Sequence, residues 1–169
     1  MMRLLLVRHC EAHRGGNGED HGLTAPGKDQ ASRLYHYIPP NIDTILSSPS
    51  PRALQTAQEV ADRTGLSVEI MDDLAEIGEV VQEENLNAFI ARAGKTLDRI
   101  SHDYEHGNVI AFTHAGFIMA AIRAVFDIPT PGTGARLEPD YGSVTGWYHD
   151  GETWFLENYN VRASTDGTG

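Results

Sequence analysis

At 169 residues with a 40% hydrophobic share, the chain can bury one substantial core, and one compact unit is expected. A formal net charge of −11 argues against a nucleic-acid partner, which needs clustered Lys and Arg to displace phosphate counterions, whereas a few cations in a cleft still suffice for a phosphorylated small molecule. The single cysteine excludes an intrachain disulfide framework and a cysteine-built metal cluster, and a reducing cytoplasm fits best.

The first apolar run, residues 4–7, is shorter than the roughly 7 to 15 residues of a signal-peptide core, and no other run approaches the ~18 apolar residues of a membrane span. It reads as a buried strand feeding a loop over about 9–22. In "LTAPGKDQASRLYHYI" Thr24 is the expected N-cap and Pro26 lies in the first turn, so a helix is predicted to about residue 38, where Pro39 and Pro40 stop it. "DTILSS" is a second strand. Ala53, Leu54, Ala57, Val60 and Ala61 then recur at helical spacing, closed by Gly65.

"LSVEIM" is a third strand, 72–85 is irregular and acidic, and 86–104 reads as a long helix closed by Gly107. "NVIAFTH" is a strand followed at once by an apolar helix over about 116–126. Residues 127–142 carry prolines and glycines and read as a loop. Two strand-like runs flank Asp150-Gly151, a hairpin signal. Strands alternating with helices imply parallel βαβ units. The expected fold is therefore α/β, a three-layer α/β/α sandwich with a mostly parallel sheet and an antiparallel C-terminal hairpin, in a single domain over 1–162 with a disordered tail at 163–169.

The stretch "VRHCEAHR" offers two reactive groups, the thiol of Cys10 and the imidazole of His9. A cysteine-dependent phosphatase loop places five residues between Cys and Arg, so that backbone N–H groups curl around phosphate. Here only Glu11, Ala12 and His13 separate Cys10 from Arg14, and Gly16 stands where the arginine belongs. Cys10 reads as a small half-buried residue. His9 ends the first strand and His114 ends "NVIAFT" in the same way, so both are expected along the edge where open parallel sheets bind ligands. Arg52 lies in the first turn of its helix, misplaced against the positive end of the dipole unless an anion binds there.

Together these stretches resemble the histidine phosphatase, or phosphoglycerate mutase-like, superfamily. "LLLVRHCEA" is similar to that family's strand ending in Arg-His-Gly-Glu, "GLTAPGKDQA" to its Leu-Thr-x-x-Gly-x-x-Gln-Ala, and "ILSSPSPRALQTAQ" to its Ser-Ser-Pro-x-x-Arg-Ala-x-Gln-Thr-Ala. "LAEIGE" matches its acid-bearing Leu-x-Glu loop with altered spacing, and "VIAFTHAG" and "GSVTGW" follow in family order. The resemblance implies that His9 attacks phosphorus to form a phosphohistidine, its other ring nitrogen donating to a backbone carbonyl just after it. It implies further that Arg8, Arg52 and His114 hold the non-bridging oxygens, with Asn17 a further candidate, and that Glu76 protonates the leaving oxygen and then activates water. Spacing alone does not choose Glu76 over Glu79, Glu83 or Glu84.

Cys10 and Ala115 replace family glycines, and Val80-Val81 stand where many members carry Trp. The other histidines show no metal-ligand pattern: His102 and His106 are one turn apart, without a third ligand. The expectation is a metal-independent phosphomonoester hydrolase with no cofactor, acting on a small phosphorylated substrate or a phosphoprotein, with no nucleic-acid or membrane partner. A phosphoglycerate-type mutase and a non-catalytic phosphoryl-binding module are the alternatives. Substrate identity and oligomeric state are not written in the sequence.

Overall fold

In the first strand, β1 (Met2–Arg8), neighbouring side chains point to opposite faces and both faces are apolar. Met2, Leu4 and Leu6 enter one core cluster and Val7 another. A strand buried on both sides needs cover on both sides, and the helices provide it. The structure, a computed structural model, describes residues 1–13, 22–129 and 137–162. Asn17 and the 163–169 tail lie outside the described residues.

After β1 come α1 (Ala25–Leu34), β2 (Thr44–Ser47), α2 (Pro51–Thr64), β3 (Val68–Ile70), α3 (Leu86–Asp103), β4 (Asn108–Thr113), α4 (Ala115–Val125), β5 (Val144–His149) and β6 (Trp154–Val161). The six strands form one sheet in the order β3-β2-β4-β1-β5-β6. Pairings β1–β4, β4–β2 and β2–β3 are parallel, β5 is antiparallel to β1, and β6 is antiparallel to β5. Only β5 therefore runs against the rest.

Val7, Ile45, Ile110 and Phe112 pack against α1 and α2 through Ala31, Leu34, Ala57 and Val60. Leu4, Leu6, Val109 and Ala111 pack on the opposite face against α3 and α4, through Leu97, Ile100, Phe117 and Ile118. The result is the three-layer α/β/α sandwich expected from the strand–helix alternation. Trp147 of β5 is fully buried against the α3–α4 side.

Local chemistry sets the helix ends. Thr24 Oγ1 accepts from the Gly27 N–H at 3.0 Å, Asn85 Oδ1 accepts from the Ala88 N–H at 3.0 Å, and Gly65 ends α2 at a φ of 75°, which suits glycine. Two details differ from the sequence expectation. The turn after α1 is a 3-10 turn over Tyr35–Tyr37 rather than α-helix, a common tightening at a helix end. The hairpin turn takes four residues, not two, because Asp150 Oδ1 accepts from both the Glu152 and Thr153 N–H groups at 2.9 Å and widens it into an Asx turn.

Candidate active site

Parallel pairing puts the two histidines together. Arg8 stands opposite Thr113 in the β1–β4 register, so the next residues, His9 and His114, leave adjacent strands at the same carboxyl edge. The His9 N–H donates to the Thr113 carbonyl at 2.9 Å, and the ring centroids lie 5.3 Å apart. β2 is the other neighbour of β4 and delivers Ser48, Ser50 and Arg52 to the same edge.

Hydrogen-bond direction fixes the tautomers, because a carbonyl only accepts and a guanidinium only donates. His9 Nδ1 lies 2.8 Å from the Cys10 carbonyl oxygen and must carry the proton, which leaves the Nε2 lone pair to accept from Arg52 Nε at 3.2 Å. His114 Nδ1 lies 2.9 Å from an Arg52 terminal nitrogen and must accept, so its Nε2–H donates to Ser48 Oγ at 2.8 Å. Arg52 thus bridges both rings. Both histidines are buried, at 7% and 1% exposure, so these contacts are poorly screened by water.

Arg8 takes a different route to the site. One terminal nitrogen donates to the Pro139 carbonyl at 2.5 Å, and the guanidinium stacks 3.9 Å over the Tyr141 ring. Tyr141 in turn lies 5.6 Å, centroid to centroid, from the His9 ring. The Arg8 Nε is buried with no protein hydrogen-bond partner among the described residues.

Two carboxylates face this cluster. Glu76 accepts from the Gly116 N–H in the first turn of α4 at 3.1 Å and from the Ile77 N–H at 3.0 Å. A Cβ on Gly116 would sit 2.1 Å from Glu76 Oε1, so only glycine admits the carboxylate there. Burial pushes the Glu76 carboxyl above the ordinary range, and the two backbone N–H groups only partly offset it. Glu79 accepts from Ser50 Oγ at 2.6 Å and forms an ion pair with Arg52. Burial would raise its pKa too, but the bonds from Ser50 and Arg52 win, and it is held below the usual range.

The motif residues with no direct contact to the histidines brace the loop behind them. The Glu11 N–H donates to Gln30 Oε1 at 2.9 Å and the Leu23 N–H to Gln55 Oε1 at 2.8 Å. The Cys10 N–H donates to Thr56 Oγ1 at 3.1 Å. Gly27 lies so close to the Glu11 carbonyl that a Cβ would sit 1.9 Å from its oxygen. Cys10 itself is fully buried, and burial pushes its thiol up to about 12, so it stays protonated and unreactive.

A second brace holds the acidic loop. Arg92 of α3 pairs with both oxygens of Glu84 at 2.8 and 2.7 Å and donates to the carbonyls of Asp73 and Ala75 at 2.7 and 3.0 Å. The Glu84 side chain is 2% exposed. Removing one partner of a buried pair strands the other charge, at a cost of about 3–5 kcal/mol. Arg92→Met is expected to lose about 3 kcal/mol in urea unfolding, and Arg92→Met/Glu84→Leu to regain only the part due to the stranded carboxylate, because the Asp73 and Ala75 carbonyls stay without their donor. A single-variant loss below about 1 kcal/mol would contradict the clamp.

The structure therefore brings His9, Arg52 and His114 into direct contact, sets Glu76 on the neighbouring helix start, and reaches Arg8 through Tyr141. The sequence reading did not single out Tyr141, Ser48, Ser50 or Arg92. Ser48 and Ser50 lie inside the quoted "SSPSPR" stretch, which was the available signal for them. No such signal marks Tyr141 or Arg92. Among the described residues no group of three or more His, Cys, Asp and Glu could hold a metal ion, and no helix is long and apolar enough to cross a membrane.

The model of the histidine phosphatase superfamily (branch 1) matches residues 4–81 and 78–162. Phosphoserine phosphatase 1 of Hydrogenobacter thermophilus is 37% identical over 83 residues, 46% of this chain, and the match spans only 39% of that relative. Among solved structures, Bacillus stearothermophilus YhfR superposes with a TM-score of 0.82 at 20% identity, covering 96% of this chain and 98% of that one. A phosphoserine phosphatase mutant of Entamoeba histolytica in complex with phosphoserine gives 0.81 at 20% identity, covering 95% and 97%. A mycobacterial glucosyl-3-phosphoglycerate phosphatase complexed with VO3 gives 0.76 at 20% identity, covering 94% and 98%. At such identities the likeness is one of fold.

Proposed function

The chain belongs to the histidine phosphatase superfamily, branch 1, and from that premise we propose that it hydrolyses small phosphate monoesters through a phosphohistidine on His9. The observation that carries this reading is the bound state of the His9 ring. Its Nδ1–H is fixed to the Cys10 carbonyl, which leaves Nε2 as a lone pair aimed at the same Arg52 guanidinium that His114 touches. A nucleophile and its charge-neutralising partners then share one point in space.

In the first step Nε2 attacks phosphorus in line, the P–O ester bond breaks, and Glu76 gives its proton to the leaving oxygen. In the second, Glu76 as carboxylate takes a proton from water, whose oxygen attacks phosphorus and displaces His9, releasing inorganic phosphate. Arg52 and Ser50 supply donors for the non-bridging oxygens, His114 joins them when its Nε2–H turns from Ser48 Oγ to the phosphoryl group, and we assign the buried Nε of Arg8 as a further donor. Such preorganised donors carry most of the catalysis in phosphoryl transfer. The domain so defined runs over 1–162.

The names of the relatives point to phosphoserine and phosphoglycerate-type esters as the first substrates to try. The test is a panel of phosphate monoesters, phosphoserine and 3-phosphoglycerate included, assayed for released phosphate with magnesium and with chelator. Turnover of at least one ester, unchanged by chelation, is expected. A panel with no turnover, or activity abolished by the chelator, would overturn the reading.

A further inference from the structure

We propose that Glu79 is an internal competitor for the phosphoryl pocket, a residue that sets how tightly the site holds a phosphoryl group. The proposal rests on the phosphatase reading for the identity of the pocket, and it begins from the partners of one side chain. Glu79 Oε2 accepts from Ser50 Oγ at 2.6 Å and from the Glu76 N–H at 3.3 Å, and lies 3.7 Å from His114 Nε2. Its Oε1 pairs with Arg52. A two-oxygen anion therefore already occupies donors that a phosphoryl group needs.

The local structure shows what this arrangement displaces. Ser50 is the residue before α2 and could cap it, yet it makes no side-chain cap bond; its hydroxyl is turned to Glu79 instead. Arg52 is likewise engaged on three sides, by Glu79, His9 and His114. Around Arg52 the resting pocket is satisfied internally: Ser50 and Arg52 hold Glu79, and the nucleophilic lone pair of His9 accepts from Arg52 Nε.

A phosphoryl dianion and a carboxylate cannot share those donors, because like charges a few ångströms apart repel strongly where water is excluded. Glu79 has to withdraw. Its segment is anchored on either side, at Glu76 by Gly116 and at Glu84 by Arg92, while Ile77, Val80 and Val81 between those anchors are exposed. Withdrawal of Glu79 thus leaves both anchors in place. Free phosphate exchanges one set of charged hydrogen bonds for another and gains little. An ester meets the same competition at its phosphoryl end and gains further contacts only through its leaving group, so Glu79 weakens the hold on both and eases release of the product.

The experiment compares wild type, Glu79→Gln and Glu79→Asp in the full chain by calorimetric titration with inorganic phosphate, and by steady-state kinetics with the best ester of the panel. In Glu79→Gln the phosphate Kd is expected to fall about tenfold, the equivalent of one charged hydrogen bond, with KM for the ester lowered in the same direction and kcat kept within about threefold. Glu79→Asp, shorter by one methylene, is expected to fall between, which guards against a folding defect in the glutamine variant. Glu83→Gln, another acid of the loop, should leave Kd unchanged. Unchanged or weaker phosphate binding in Glu79→Gln, or a kcat loss as deep as that of Glu76→Gln, would overturn the proposal. The titration needs no turnover, so tighter phosphate binding in a chain that hydrolyses no ester would support the competitor while refuting the hydrolase.

Discussion

His9→Ala is expected to lower the turnover of every phosphate ester by at least about four orders of magnitude, because it removes the atom that forms the bond and nothing nearby can replace it. Cys10 is adjacent in sequence, but its thiol is buried and pushed up to about 12. His114 is within ring contact, yet its Nδ1 is committed to Arg52 and its Nε2–H to Ser48. The fold should survive the change. The backbone bond from residue 9 to the Thr113 carbonyl needs no side chain, and the ring's own bonds are to its neighbour's carbonyl and to Arg52. Phosphate binding is therefore expected to persist while turnover disappears. Brief incubation of wild type with labelled ester and quenching in base should trap a base-stable, acid-labile phosphoenzyme that His9→Ala lacks. Substantial turnover in His9→Ala, or an acid-stable adduct, would place the nucleophile elsewhere. Cys10→Ser should keep most of its activity, since a protonated thiol contributes only packing.

Why His9 and His114 could be paired from sequence alone follows from the sheet. Each is the first residue past its strand, and in a parallel sheet such residues emerge at one edge whatever their separation along the chain; β1 and β4 prove to be direct neighbours. Arg52 was legible because a cation in a first helical turn contradicts the dipole, and a contradiction of that kind points to a ligand. Tyr141 is a different case. It reaches the site 132 positions after His9 through a loop without periodicity, and only the stacking of Arg8 upon it reveals its place. The acidic loop was equally opaque. Glu76, Glu79 and Glu84 look alike in sequence, yet one accepts from a helix start, one from Arg52 and Ser50, and one from Arg92. Those assignments depend on where α2, α3 and α4 converge, which no local pattern encodes. The same holds for the residues 35–37, where helix periodicity continues but the backbone tightens into a 3-10 turn.

Glu76→Gln is expected to cost about a hundredfold to ten-thousandfold in turnover of alkyl phosphates, the usual range for a positioned proton donor. The sign of its pH dependence follows from its surroundings. Burial is the largest influence and raises the carboxyl above its ordinary value, with the Ile77 and Gly116 N–H groups and Arg52 pulling down and Glu79 pushing up. The acid therefore keeps its proton past the ~4.3 of a free glutamate, and cleavage of the ester should decline as pH rises through the elevated value. Stability follows the same sign: the folded chain holds this proton more tightly than the unfolded one, so the contribution is full below the unfolded value and is lost as pH rises through the folded one. Glutamine abolishes both trends. The leaving group separates chemistry from mere packing. An aryl phosphate such as p-nitrophenyl phosphate expels a stable phenolate that needs no proton, so with it Glu76→Gln should lose only about tenfold in phosphoenzyme formation, whereas an alkyl ester bears the full loss. Equal losses on both esters would mean that the side chain acts through the loop and not through its proton. An alkyl-ester loss appearing instead in Glu79→Gln would mean that Glu79, three residues along the chain, and not Glu76 supplies the proton, against its being held ionised by Arg52 and Ser50 in the resting site.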